Sequence, residues 1–455
     1  MKASCTMHTQ SNAVAKLICG ATLSGLALMA AGCATGKIAG TTATVVPSAT
    51  IKLSGRLQGG QQPVGGATIQ LYAASTAGYG APYPSLPLLT QTVTTDTNGN
   101  FNITGDYSCT GNPQVYIVAT GGIPQPQTGQ VNNNLALMAA LGACNSLSRS
   151  TQITINERST VAAVWALARF MTSYSAVGST ATNTTGLANA FSVVPQLVNL
   201  SDGSTPGSSL PANASLNVAE INTLADSLAA CVNSGGGSAG DTSPCGLLFT
   251  ATTVPGSVPT DTIGAALNVA KNPGLNAPGV FAVSLPNAPF QPTLPSAPQN
   301  LLIAITYSGG GLSAPAALAV DSSGNIWAAN ANSSLTELNP TGAAISQSGG
   351  FTGGGLNNPS ALVIDQSGTV WVANRSGNSV SLFNASGVAL AASPLTGGGL
   401  STPVSIAIDE DGSAWIANSG NGSLSNFSAV FTASSPTGYT GAGISTPTGI
   451  AIDPY

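Results

Sequence analysis

The stretch DSSGNIWAAN, residues 321–330, decides how the rest of the chain is read. It returns as DQSGTVWVAN at 365–374 and as DEDGSAWIAN at 409–418, a period of 44 residues. Extended upstream, the copies read GGGLSAPAALAVDSSGNIWAAN, GGGLNNPSALVIDQSGTVWVAN and GGGLSTPVSIAIDEDGSAWIAN. Four residue types recur in register: Asp321, Gly324, Trp327 and Asn330, then Asp365, Gly368, Trp371 and Asn374, then Asp409, Gly412, Trp415 and Asn418. The Asp can cap its own turn and the Gly supplies a permissive backbone position. The Trp carries enough apolar surface to be expected between neighbouring units.

A period of 40–45 residues built from short β segments, with a Gly-Asp-Trp signature, points to β-propeller blades. In this reading ALAVD is the innermost strand, IWAAN the second, LTELN the third and AAISQS a weaker fourth. A further copy, GAGISTPTGIAID, reaches only its first strand, at Asp453. Residues 301–307, LLIAITY, are expected as an outer strand of a closing blade. Propellers close with about 4–8 blades, so three whole copies leave an apolar blade face and an unpaired edge. The expectation is that a longer reading frame completes the ring or, less favoured, that two copies cover each other's faces.

The copies resemble NHL repeats and the related repeats of streptogramin lyases. The first resemblance implies a propeller that binds proteins or RNA. The second implies a Mg²⁺-dependent eliminase with a catalytic His. The only His is His8, inside the expected signal peptide, so that mechanism has no catalytic residue. No G-x-S-x-G or other nucleophile motif replaces it. The adjacent acids Glu410 and Asp411 are read as a solvated hairpin turn. No catalytic residue, metal or cofactor is expected.

The first residues are an address. Lys2 and Lys16 precede an apolar run from Leu17 to Ala31 that ends in A-A-G-C. This is a basic n-region and an h-region of signal-peptide length. The A-A-G-C segment resembles the lipobox of bacterial lipoproteins, which implies cleavage before Cys33 and lipid attachment to its thiol. Ala34, in place of Asp, implies sorting to the outer membrane. Residues 1–32 are thus read as a lipoprotein signal peptide and 33–50 as a tether. Removing them leaves Cys109, Cys144, Cys231 and Cys245, an even set that suggests two disulfides in an oxidising compartment. Three pairings are open, with proximity favouring Cys231–Cys245 and Cys109–Cys144. Zinc fails on spacing.

Residues 51–123 read as strands and turns. IKLSGRL and ATIQLYA alternate, and TQTVTT and NFNIT flank DTNGN, a hairpin signal. The run resembles carboxypeptidase-regulatory-like and transthyretin-like β-sandwich modules, which implies a domain without chemistry; Asp96 and Asn98 are read as turn formers. Residues 124–284 read as a small α-helical domain, from apolar positions at helical spacing in VNNNLALMAALGACNSL, STVAAVWALARFM, GLANAFSVV and NVAEINTLADSLAACV. Asn217 with Glu220 reads as a capping box, and Glu157 as an acid complementing a helix N-terminus. Residues 285–299 form a Pro-rich linker with a semi-rigid backbone. Residues 300–455 are the NHL-like repeats, three complete and a fourth partial. The fold class is therefore mainly β and multidomain.

Charge narrows the partners. Past residue 32 eight basic side chains face fifteen acidic ones, and the repeat region holds one basic residue, Arg375, against seven acids. Nucleic-acid binding, which needs cations on phosphates, is excluded. The reading is a non-catalytic, surface-anchored binding or scaffolding lipoprotein of the bacterial envelope. Its lipid engages the membrane, and its propeller meets a protein or glycan.

Overall fold

The computed structural model describes residues 52–453 apart from 81, 105–106, 125–128, 149–150 and 287. The expected signal peptide, tether and lipid site at Cys33 lie outside the described residues.

Two facing sheets come first. In one, Lys52–Gly59 runs antiparallel to Asn100–Thr104 and parallel to Gln152–Ile155, and Gln62–Gly65 folds back on its end. In the other, Thr68–Ala73 and Ala136–Ala143 flank Gln114–Thr120. Alternation sends Ile69, Leu71, Val115, Ile117 and Leu137 of the second sheet into one core with Leu53, Leu57, Phe101 and Ile103 of the first. The DTNGN segment is a turn, as read, but not a hairpin. Val93–Thr94 pairs with Thr68–Ala73 and Asn100–Thr104 with Lys52–Gly59, so the turn carries the chain from one sheet to the other.

The opposite side of the second sheet is also buried, with Tyr116, Val118, Ala136 and Met138 set against helices. Ala136–Ala143 has no wet side, so its sequence ALMAALGA lacks the alternation of a half-exposed strand. The helix expected across VNNNLALMAALGACNSL is corrected to this strand, and Gln152–Ile155 is likewise a strand. Helices begin only at α1 (Glu157–Leu167), followed by α2 (Thr184–Leu197), α3 (Val218–Val232), α4 (Pro244–Thr252), α5 (Thr262–Lys271) and α6 (Ala277–Ser284). Asn156 caps α1, its side chain accepting from Ser159 N while Ser159 Oγ accepts from Asn156 N. Asp261 caps α5 by accepting from Gly264 N. The capping box expected at Asn217 and Glu220 does not form, because the Asn217 side chain takes no cap bond. Val161, Val164, Ile221, Leu228, Leu248 and Ile263 close this layer over the sheet, at about 1.5–3 kcal/mol for each fully buried aliphatic side chain.

The Pro-rich segment is not a free spacer. Phe290 is buried in the helical core, its N–H donates to Asp226 Oδ1 at 2.9 Å, and Leu294 N donates to Thr223 Oγ1 at 2.9 Å. The strand expected within 301–307 pairs backward: Ile305–Tyr307 is antiparallel to Ala214–Leu216, and Tyr307 Oη donates to Gln196 Oε1 at 3.0 Å. It is therefore used by the helical layer and does not serve as an outer strand of the repeats.

Three three-stranded antiparallel sheets follow. The first is Pro315–Val320, Ile326–Asn330 and Ser334–Leu338; the second Pro359–Ile364, Val370–Asn374 and Ser379–Phe383; the third Pro403–Ile408, Ala414–Asn418 and Ser423–Phe427. The fourth strand expected in each copy is reduced to two isolated bridges, Leu338 with Ala344 and Leu335 with Phe351 in the first, Phe383 with Ala389 and Val380 with Leu395 in the second, and Phe427 with Ala433 and Leu424 with Tyr439 in the third. Residues 449–453 do not form the expected strand; Ile450 N donates to Ser405 Oγ at 3.3 Å, and Asp453 is exposed.

Candidate functional site

The repeat residues build the sheets by one recurring set of bonds. Asp365 Oδ1 accepts from Ser367 N and Thr369 N, each at 2.9 Å, and Oδ2 accepts from Trp371 Nε1 at 2.9 Å. Asp409 repeats this with Ser413 N at 2.8 Å and Trp415 Nε1 at 2.9 Å. Asp321 makes the same turn bonds, but its contact with Trp327 Nε1 is longer, at 3.4 Å. Burial alone would raise Asp365; hydrogen bonds from Ser367, Trp371 and Thr369 outweigh it and hold its carboxyl below the usual range. Gly324, Gly368 and Gly412 sit at φ +84, +84 and +77, the left-handed region the turn demands.

The first two Trp side chains each pack on the next sheet. Trp327 joins Leu362, Val370 and Val372, and Trp371 joins Ile406, Ala414 and Ile416. Trp415 has no following sheet among the described residues and lies 5.7 Å from the Tyr439 ring. The same asymmetry appears on the facing side. Leu362 and Ile406 are 8% exposed, whereas Leu318, at the matching position of the first sheet, is 65% exposed; Val320 is 63% exposed where its counterparts Ile364 and Ile408 are partly buried.

Asn330, Asn374 and Asn418 hold the long loop of each copy. Asn374 Oδ1 accepts from Asn357 N, its Nδ2 donates to Ser379 Oγ and Ser381 Oγ, and Ser381 Oγ donates to Gly354 O at 2.7 Å. Asn330 works with Ser334 and Thr336, and Asn418 with Ser423 and Ser425. These hydroxyls escaped the sequence reading. The recurrence of S-x-S or S-x-T after every signature Asn was the signal that could have found them. The polar signature groups are thus spent inside the sheets.

The first sheet also brings two acids together. Asn325 Nδ2 donates to Asp321 Oδ2 at 3.0 Å and Glu337 Oε1 at 3.1 Å. Burial, then repulsion from Asp321, raises Glu337 to about 7. A second charged group joins the sandwich, helices and Pro-rich segment. Glu157 is fully buried, and its Oε1 accepts from Gly60 N at 2.9 Å. Burial pushes its carboxyl up to about 8, against hydrogen bonds from its own backbone and Gly60, with Asp226 raising it further. Asp226, raised by burial to about 7, accepts from Phe290 N. Arg158 lies 4.4 Å over the Phe290 ring and donates from Nε to Asn222 Oδ1. Glu157 does stand in the first turn of α1, but burial sets its chemistry more than the helix end does.

Disulfides join Cys109 to Cys144 and Cys231 to Cys245, the second tying the end of α3 to the start of α4. Between α3, α4 and α6 lies a cleft of 720 Å³ lined mainly by small apolar side chains, with Asn233 at its edge.

No protein-family model matches the chain, and no curated protein matches it. Solved structures do, over parts of the chain. Virginiamycin B lyase from Staphylococcus aureus aligns at 16% identity over 26% of this chain and 39% of its own, with a TM-score of 0.23. A streptogramin B lyase aligns at 15% identity over 30% and 45%, with a TM-score of 0.26. The extracellular domain of a hybrid two-component system from B. thetaiotaomicron aligns at 20% identity over 30% and 17%, with a TM-score of 0.23. The chain thus spans less than half the length of the structures it matches.

Proposed function

We propose that the three repeat sheets are blades of an NHL-type β-propeller, and that the protein is a non-catalytic binding or scaffolding lipoprotein of the bacterial envelope. Cys33 carries the lipid, and the blades face a protein partner. The observation that carries this reading is the contrast across equivalent positions. Leu362 and Ile406 are 8% exposed beneath a neighbour's Trp, while Leu318 is 65% exposed. An uncovered apolar face of this kind marks a protein contact more than a glycan contact. The signature polar groups, spent on turns and loops, contribute architecture and not chemistry.

The test places a photo-crosslinking residue at Val320, and in a second variant at Ile364, in cells that make the full chain. A discrete protein adduct from position 320 and none from 364 supports the reading. Equal labelling at both, or binding on a glycan array with no adduct, refutes the protein assignment. Linearisation of a streptogramin by the purified chain with Mg²⁺ refutes the non-catalytic one. Metabolic labelling with a palmitate analogue, lost in Cys33→Ser, checks the anchor.

A further inference from the structure

A cleft of 770 Å³ opens where the C-terminal ends of α1 and α5 come together, well within the 300–1,000 Å³ usual for small-molecule sites. Arg169 and Lys271, two of only ten basic side chains in a chain of net charge −5, line it, and no Asp or Glu does. Lys271 stands in the last turn of α5 and its Nζ donates to Met171 O at 2.8 Å, which leaves two ammonium hydrogens free to donate. Arg169 follows the end of α1, is exposed, and has no hydrogen bond or ion pair among the described residues.

The bland account is that both cations complement helix C-termini. Each end contributes roughly −0.5 of a charge, so two cations leave a surplus of about +1. The surplus asks for an anion. The other walls are aromatic and apolar. Tyr79 and Phe170 stack with centroids 5.9 Å apart, and the Trp165 side chain also lines the cleft. Tyr79 Oη accepts from Asn183 Nδ2 at 2.7 Å, so its own hydrogen is available to a ligand acceptor. Two cationic donors, the Tyr79 phenol and aromatic rings in one concavity suit a carboxylate carried on a six-membered ring.

We propose that this cleft binds such a ring carboxylate, with an acidic saccharide as the source that the neutral Tyr79 O–H donor favours. The site is separate from the repeat sheets and does not depend on their partner. Isothermal titration of the full chain in mild detergent tests it with a uronate oligosaccharide, a neutral oligosaccharide of the same linkage, and benzoate. The uronate is expected to bind, more weakly in high salt, and the neutral sugar at least about tenfold more weakly, for want of charge-assisted hydrogen bonds. Arg169→Gln and Lys271→Gln should each weaken uronate binding about tenfold, with the melting curve of Arg169→Gln matching the wild type, since that side chain is exposed and makes no bond among the described residues. Benzoate binding without uronate binding, and with the same sensitivity to Arg169→Gln, keeps the carboxylate assignment and makes the ring an arene. If neither acid exceeds the neutral sugar, or if Arg169→Gln leaves binding unchanged, the assignment is overturned.

Discussion

Asp365 serves two neighbours with one carboxylate: Oδ1 closes its turn and Oδ2 takes the indole N–H of Trp371. Removing it leaves a buried indole N–H unpaired and opens the turn. Asp365→Ala should therefore cost about 2 kcal/mol, the scale of lost hydrogen bonds to a charged group. Asp321→Ala should cost less, because its indole contact is 3.4 Å, beyond good hydrogen-bond length. Urea unfolding followed by tryptophan fluorescence in a Trp165→Phe background reads this directly, as the other three tryptophans lie in the repeats. The Asp, Gly and Trp roles could be read from the period alone, since each acts within its own turn or on the next unit. The sharing of Asn325 by Glu337 and Asp321 could not, because it occurs in one copy and crosses between strands. Glu157 gives a second prediction at this scale. Its folded carboxyl titrates near 8, above any unfolded carboxylate. The folded state therefore holds the extra proton, and the stabilisation is complete below the unfolded value and lost as pH rises through the folded one. Asp226, raised in the same direction to about 7, adds to the trend, and Arg158 opposes it. Melting should fall between pH 5 and pH 8, and Glu157→Gln should flatten that fall. A fall of unchanged steepness in the variant refutes the assignment.

Elements were legible where one side is wet and illegible where both are dry. Thr68–Ala73 shows alternating burial and was read as a strand. Ala136–Ala143 is covered by the sandwich core on one side and helices on the other, and its apolar run mimics a helix. α1 is capped by an Asn–Ser pair that lacks the Glu or Gln of the usual capping-box pattern. The Pro-rich segment failed for another reason: proline density reports backbone stiffness and says nothing of docking. Phe290 supplies the docking, buried beneath Arg158 and bonded through its N–H to Asp226. Phe290→Ala should cost about 3–5 kcal/mol, as for other buried aromatics. It should also free the segment, so that limited proteolysis cuts within 285–299 in the variant while the wild type resists. Equal resistance in both would show that the prolines, and not Phe290, hold it down.

At the scale of the whole molecule, the repeats test whether a position's meaning comes from its sequence or from its neighbours. Leu318 and Leu362 occupy the same place in the same strand of successive copies, and pattern alone assigns both to a core. The structure separates them. Leu362 packs under Trp327 with Val370, Val372 and Phe383, while Leu318 has no sheet over it among the described residues. A charge at the two positions should therefore have opposite consequences. Leu362→Lys forces an ammonium against a Trp between two sheets, with no acid among the cluster residues to pair it, and should unfold the repeats or cost more than about 3 kcal/mol. Leu318→Lys leaves the melting curve unchanged and lowers self-association, because it breaks an exposed apolar patch. Light scattering and fluorescence-detected melting on both variants measure the contrast. If Leu318→Lys destabilises the full chain as much as Leu362→Lys does, then Leu318 is covered in solution, and the face that the partner is proposed to use is already taken.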